Sequence, residues 1–396
     1  MVTAGVILHA LAWVPPDHLN AGLSPTAEHS IIKPAASILD AFTGPIWMAM
    51  NITTGDWGVF SLFQSIIAHG IAATGVLLVV RFALALRRRM NKRRQEHPPE
   101  EAVAHPARRR FLVDAPFAAA AVLGTGALVD GAFLEPFGLK IRKHTIPLRD
   151  LPEQFIGFKA VLISDTHLGP RIPAEFIRKA VSLCLDLKPD LFLLGGDYVH
   201  AGTRYIKPAV ELFKPLVASG VPTVGVLGNH DWYNSRGLIT RFLTEIGVRM
   251  VDNAHVLLDG RTRTFASGPI APRDALCIAG VGDILTDEVN IRRALQSVPE
   301  NAPRIVLCHN PDGADLPSMQ RERIDLMLCG HTHGGQIRFP FVGPLYVPCR
   351  TGTKYAGGLL KGPGFPVLVS RGVGMSICPV RIGVPPELVE ITLTRA

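Results

Sequence analysis

Five short apolar runs, each cut off by residues that can bind a metal ion, constrain this chain more than any other feature of its sequence. The runs are Ala160-Val161-Leu162-Ile163, Leu191-Phe192-Leu193-Leu194, Thr223-Val224-Gly225-Val226-Leu227, Ile305-Val306-Leu307 and Leu326-Met327-Leu328. Their length and content predict strands buried on both faces. Helix-like stretches lie between some of them, over Ala174–Leu187 and Pro208–Ala218. Strands alternating with helices predict an α/β domain.

The run ends carry the chemistry. In order they read Ser164-Asp165-Thr166-His167, Gly195-Gly196-Asp197, Gly228-Asn229-His230-Asp231, Cys308-His309-Asn310 and Cys329-Gly330-His331-Thr332-His333-Gly334. Ligand sites of open α/β sheets collect at the carboxyl ends of strands, so five such strands would deliver these side chains to one rim. Asp165, His167, Asp197, Asn229, His309, His331 and His333 are oxygen and imidazole donors, a mixture suited to Mn, Fe, Zn or similar divalent ions. Seven donors exceed what one tetrahedral ion needs and suit two ions sharing a bridging carboxylate. The His-x-His pair of His331 and His333 is expected to project two imidazoles to one side of an extended chain. Two ions about 3.5–4 Å apart can activate a water and clamp a phosphoryl oxygen.

Each block alone has a plainer reading. A single Asp-x-His arises by chance, a Gly-Asp after a strand is commonly a turn, and Asn-His-Asp can cap a helix. Turn chemistry does not explain all five together. Tyr198, His200, Asp283 and Arg371 lie near the blocks and read equally well as loop or surface residues.

The ordered series resembles the calcineurin-like metallophosphoesterase family, whose blocks run Asp-x-His, Gly-Asp, Gly-Asn-His-Asp/Glu, His and Gly-His-x-His. All five are present without substitution. The resemblance covers about residues 155–396, including Ser370-Arg371-Gly372 and Pro385-Pro386-Glu387-Leu388. It is strongest to the bacterial branch that places such a domain after membrane segments or a twin-arginine signal. The resemblance implies a four-layer fold of two central sheets flanked by helices, here over residues 150–396, and a phosphoester hydrolase. It assigns Asp165, His167 and His333 to one metal, Asn229, His309 and His331 to the other, and Asp197 to both. It also implies that His230 protonates the leaving oxygen or stabilises the transition state, and that Asp231 orients His230.

Residues 1–140 have a different character. From Trp57 to Val80 there is no Asp, Glu, Lys or Arg. This run would span about 36 Å as a helix, enough to cross a hydrocarbon core of about 30 Å. A soluble helix of that length would need a polar face, so a membrane span over 57–80 is expected. The sequence carries 41 Lys+Arg against 33 Asp+Glu, and a net +8 would ordinarily suggest nucleic acid. Ten of those bases, against only three acids, lie between Arg81 and Arg110, which leaves the rest of the chain nearly neutral. The excess therefore reads as a cytoplasmic loop over 81–110 beside a membrane segment. Arg108-Arg109-Arg110-Phe111-Leu112 is similar to a twin-arginine export motif and precedes a second apolar, signal-like segment over 111–134.

The expected protein is thus a dimetal phosphoesterase of the cytoplasmic membrane, its catalytic domain on the extracytoplasmic face. Its expected substrate is a phosphodiester, lipid-linked by analogy with the membrane address. No nucleic-acid partner is expected. A nuclease is disfavoured because the catalytic region has little excess charge to track a phosphate backbone. A non-catalytic scaffold would not need all seven donors together with His230. The six cysteines all fall in the catalytic region, and the sequence names no pair among them.

Overall fold

A computed structural model describes residues 130–396 apart from 269, 345 and 377–379. The expected span over 57–80, the basic loop 81–110 and residues 111–129 of the second segment lie outside the described residues. Among the described residues, no helix is long and apolar enough to cross a membrane.

In chain order the strands are β1 (Lys140–Leu148), β2 (Lys159–Ile163), β3 (Leu191–Leu194), β4 (Thr223–Gly225), β5 (Arg249–Met250), β6 (Ala254–Asp259), β7 (Thr264–Phe265), β8 (Ala275–Gly280), β9 (Arg304–Leu307), β10 (Leu326–Cys329), β11 (Arg338–Phe339), β12 (Gly343–Pro344), β13 (Gly358–Lys361), β14 (Pro366–Val369) and β15 (Glu387–Arg395). One sheet has the order β1-β15-β2-β3-β4-β5 and the other β13-β14-β10-β9-β8-β6-β7, while β11 and β12 form a separate hairpin. The helices are α1 (Ala174–Asp186), α2 (Ile206–Glu211), α3 (Lys214–Ala218), α4 (Asn229–Glu245), α5 (Ile291–Ala294) and α6 (Pro317–Gln320). The single helix expected over Pro208–Ala218 is two short ones, α2 and α3.

The period-two alternation of the buried strands separates the layers. Ala160 and Leu162 of β2 face inward with Leu193, Ile278, Ile305 and Leu328, so the two sheets share one apolar interior. Val161 and Ile163 face the other way, against Phe176, Ile177, Ile239 and Leu243 of α1 and α4. On the far side, Ala279, Val306 and Met327 pack with Ile291, Ala294 and Met319 of α5 and α6. Three apolar clusters therefore hold four layers, helix, sheet, sheet and helix, with mixed strand directions in each sheet.

β2, β3 and β4 are mutually parallel, as are β8, β9, β10 and β14. Their carboxyl ends lie along one rim, and every block singled out in the sequence falls there. The sheet begins earlier than the boundary expected at residue 150, because β1 pairs with β15 along its whole length.

Candidate metal centre

The backbone at the rim is unusual. Asp165, His167, Asp197, His331 and His333 have φ of 55°, 47°, 55°, 67° and 49°, in the left-handed region that non-glycine residues rarely occupy. These are five of the seven predicted donors. Such a residue breaks the alternation of a strand, so side chains that would diverge can converge. Expectation and structure differ at the His-x-His pair for this reason. His331-Thr332-His333 is a turn leading into a 3-10 segment, not an extended chain, and its two imidazoles serve different clusters. Glycine is required where the carboxylates come close. A Cβ on Gly228 would lie 2.2 Å from Asp197 Oδ1, and one on Gly330 would lie 2.2 Å from Asp165 Oδ2.

All seven predicted donors are brought together and buried. Asp165, His167 and His333 form one group and Asp197, His309 and His331 another, with the donor atoms of each group within 4.8 Å of one another. In the first, His167 Nε2 lies 3.1 Å from His333 Nε2 and 3.4 Å from Asp197 Oδ2, and His333 Nε2 lies 3.5 Å from Asp165 Oδ1. Two donors each about 2.1 Å from one ion, at ordinary coordination angles, would lie roughly 3.0–3.4 Å apart. In the second, His309 Nε2 is 3.2 Å from Asp197 Oδ2, and His331 Nδ1 is 2.9 Å from Asn229 Oδ1. Asp197 lies within reach of both groups. Asn229 reaches the site because it is the first residue of α4.

Backbone carbonyls set the imidazole tautomers. His309 Nδ1–H donates to Gly195 O (2.7 Å), which turns Nε2 toward the carboxylates, where it makes no hydrogen bond. His331 Nε2–H donates to Pro348 O (2.8 Å), which leaves the Nδ1 lone pair facing the Asn229 oxygen. A nitrogen lone pair facing an oxygen lone pair in a buried site is repulsive unless a proton or a cation lies between them. The donor set and its spacing therefore fit divalent ions.

The electrostatics agree. Burial pushes Asp165 up to about 6 and Asp231 well above the usual carboxylate range. Burial would also raise Asp197, but the imidazoles of His309, His230 and His167 outweigh it and hold that carboxylate well below its ordinary value. For His309, burial would lower the pKa, and Asp197 outweighs it and raises the imidazole well above the usual range. His167, His331 and His333 are all lowered, chiefly by burial. Without a cation, a proton would sit on His309 opposite Asp197, and the other imidazoles would be neutral donors.

His230 lies at the edge of the cluster. Its backbone N–H donates to Asp197 Oδ1 (2.8 Å), its Nδ1–H donates to His200 O (2.8 Å), and Ser376 Oγ lies 3.1 Å from Nε2. Asp231 corrects the expectation made for it. Its carboxylate does not touch the His230 ring; it accepts backbone N–H groups from Asp197 (2.7 Å), Tyr198 (2.9 Å) and Gly228 (2.9 Å). As the third residue of α4 it caps that helix, and in doing so it fixes the loop that carries Asp197.

Among the residues left undecided, Tyr198 is buried, with its hydroxyl on Val226 O (2.8 Å). Asp283 is buried and caps its own turn through Leu285 N. Arg371 is held by Glu387 (3.0 Å). The His200 ring stacks on His230 with centroids 5.2 Å apart and joins His167 in a third histidine group. Two residues were not foreseen at all. Ser376 has no local sequence signal. Arg381 is fully buried and donates to the carbonyls of Arg371, Gly372, Gly374 and Val384, which ties down the loop beside His333. Cys184, Cys277, Cys308, Cys329 and Cys349 are free thiols that burial makes harder to ionise, and Cys378 lies outside the described residues.

A sheet-on-sheet α/β domain with two adjoining His/carboxylate groups at one rim defines a metal-dependent hydrolase. Comparison with known proteins narrows this. The sequence profile described as calcineurin-like phosphoesterase matches residues 158–335. The chain is 31% identical over 290 residues to phosphodiesterase YaeI of Escherichia coli (strain K12), covering 72% of this chain and 98% of that protein. It is 29% identical over 295 residues to the uncharacterized metallophosphoesterase YkuE of Bacillus subtilis (strain 168), covering 72% and 97%. It is also 29% identical over 290 residues to a transmembrane protein with metallophosphoesterase domain of Danio rerio, covering 68% of this chain and 62% of that protein. The chain belongs to the calcineurin-like phosphoesterase family and is a metal-dependent phosphoric ester hydrolase.

Proposed function

We propose that this chain is a dimetal phosphodiesterase, anchored in the cytoplasmic membrane and acting on a lipid-linked phosphoester from the extracytoplasmic side. Asp165, His167 and His333 would hold one ion, Asn229, His309 and His331 would hold the other, and Asp197 lies within reach of both groups. The pair of backbone-fixed tautomers at His309 and His331 carries this reading, because each aims a lone pair at oxygen donors across a space that only a cation or a proton can bridge. Bound divalent ions, with Mn, Fe and Zn as the choices, supply an activated water and polarise the phosphoryl oxygens.

The chain's own residues do the rest. The Asp197 side chain is positioned by the His230 N–H, and its backbone by the Asp231 carboxylate. His230, its Nδ1–H anchored on His200 O, presents Nε2 at the edge of the cluster. The water gives up one proton to solvent, and as its oxygen bonds to phosphorus and the P–O bond to the leaving group breaks, a proton on His230 Nε2 passes to the leaving oxygen. Ser376 is placed to hold the imidazole edge-on until then.

The diester preference is supported by the name of the E. coli relative, a phosphodiesterase. The membrane address is supported by the uncharged run 57–80 with its basic flank, and by relatives named as transmembrane proteins. The test is metal content and turnover of an aryl phosphodiester by the full-length chain. Two ions per chain and Mn-supported hydrolysis are expected. Asp197→Ala should lower turnover on the order of 10³-fold or more. Turnover that survives this substitution sinks the dimetal assignment.

A further inference from the structure

We infer that the β11–β12 hairpin beside the metal centre is an interfacial docking element that seats the site on a bilayer bearing anionic headgroups. From residue 326 to residue 386 the sequence contains no Asp or Glu, but it contains Arg338, Arg350, Lys354, Lys361, Arg371 and Arg381. Arg338, Arg350, Lys354 and Lys361 are exposed. Lys354 is paired with Asp315, whereas no carboxylate among the described residues pairs with Arg338, Arg350 or Lys361. The same segment concentrates exposed apolar side chains. Of the eleven large hydrophobics exposed among the described residues, Phe339, Phe341, Val342, Tyr346 and Leu359 fall within it.

The hairpin tip is the strongest feature. Phe341 is fully exposed and Val342 is 73% exposed. Phe341 also has φ of 64°, a conformation that costs a bulky residue strain and that glycine would adopt freely. Among the described residues nothing is gained by placing an aromatic ring there, since it is fully exposed. An exposed apolar tip on a hairpin that carries the unpaired Arg338, in a segment with no acidic residue, suits the interface of an anionic membrane, where the ring enters the acyl boundary and the base meets headgroups.

The hairpin is also joined to the catalytic rim. Pro344 and Tyr346 pack on Gly335, just after the His333 turn, and Pro348 O accepts the His331 Nε2–H that fixes its tautomer. Arg338 N donates to Ile382 O, within the loop that carries Ser376. Seating the tip in a bilayer would therefore bring the rim close to headgroup phosphates. The inference deepens the lipid-phosphoester reading above and rests on it for its purpose. Single-stranded nucleic acid also likes bases and aromatics, but an aliphatic-aromatic tip on a projecting hairpin offers no groove in which successive bases could stack.

The test uses the full-length chain reconstituted in vesicles of phosphatidylcholine with a rising fraction of phosphatidylglycerol. A nitroxide is attached at Phe341→Cys and, as control, at Thr262→Cys, with the labelled parent chain as background. The label at 341 is expected to gain at least fivefold in oxygen-over-nickel-chelate accessibility as anionic lipid rises, and the label at 262 to stay water-exposed. Phe341→Ser/Val342→Ser should leave turnover of a soluble aryl phosphodiester within twofold of the parent. A label at 341 that remains as water-accessible as that at 262 overturns the proposal, as does one that is immobilised by a single-stranded oligonucleotide and ignores lipid. Loss of the parent's metal-dependent turnover, with the label still inserted, would instead strike the functional reading and leave the docking surface standing.

Discussion

The two ends of the sheet sandwich both gather charged groups, and they treat them in opposite ways. At the end away from the catalytic rim, Arg149, Asp150, Arg261, Asp274 and Arg395 line an open cleft, and each of its two aspartates is met by a guanidinium. Arg323 meets Asp150 at 3.1 Å, Arg261 meets Asp274 at 2.8 Å, and Arg395 donates to Leu151 O at 3.2 Å. Most of these groups keep contact with water, so little is lost when one is changed. At the catalytic rim the donors are buried, the backbone that carries them is left-handed, and several lone pairs point at one another. The first arrangement is complete as it stands. The second is balanced only when positive charge is added, which is the mark of a binding site rather than of a structural ion-pair network.

Three measurements would break or sharpen this contrast. The largest effect is expected at His230, which lies outside the two His/carboxylate groups, in the third group with His167 and His200. His230→Gln should lower kcat by about 10²–10⁴-fold while metal content stays at the parent value. A parallel loss of metal would show that the residue is structural instead.

The next is a pH effect. In the absence of an ion, Asp197 holds the His309 proton well above the ordinary imidazole range, and that proton would have to leave for the imidazole to take a metal. Apparent metal affinity should therefore rise with pH, by about tenfold per unit for one proton released, and level off once the folded-state pKa of His309 is passed. Calorimetric titration in buffers of different ionisation heat would count the proton, and affinity independent of pH would remove His309 from the ligand set.

The smallest is expected at the opposite end. Arg261→Ala removes an exposed partner of Asp274, which keeps its hydrogen bond from Gln154 (3.0 Å). It should cost about 0.2–1 kcal/mol in thermal or denaturant unfolding and leave turnover within twofold. A catalytic defect there would mean the two ends are coupled.

The parts of the fold visible in sequence are those whose signal is local. β2, β3, β4, β9 and β10 announce themselves because both faces are buried, and Asp165, Asp197, Asn229, His309 and His331 stand where those apolar runs stop. β1 and β15 are harder to see. β1 opens with exposed and half-buried residues in no regular alternation, Lys140-Ile141-Arg142-Lys143-His144, and its partner lies almost 250 residues away. The His-x-His turn was misjudged because a period-two argument assumes an extended chain, and no rule of spacing reports a left-handed φ. The role of Asp231 is hidden because a carboxylate next to a histidine invites pairing, while two of the three backbone amides that claim it come from another loop. Ser376 and Arg381 act through contacts that exist only after the chain has closed.

The placement of β15 has a consequence for how the protein is made. The final strand, Glu387–Arg395, lies between β1 and β2 and pairs with both. Until β15 has been made and has docked, the edges of β1 and β2 that it occupies are open to any other extended segment. The catalytic rim, whose Arg371 is tied to Glu387 at the start of that strand, cannot be completed earlier. A chain cut short just before Glu387 would therefore keep fourteen of the fifteen described strands and still lack the middle of a sheet.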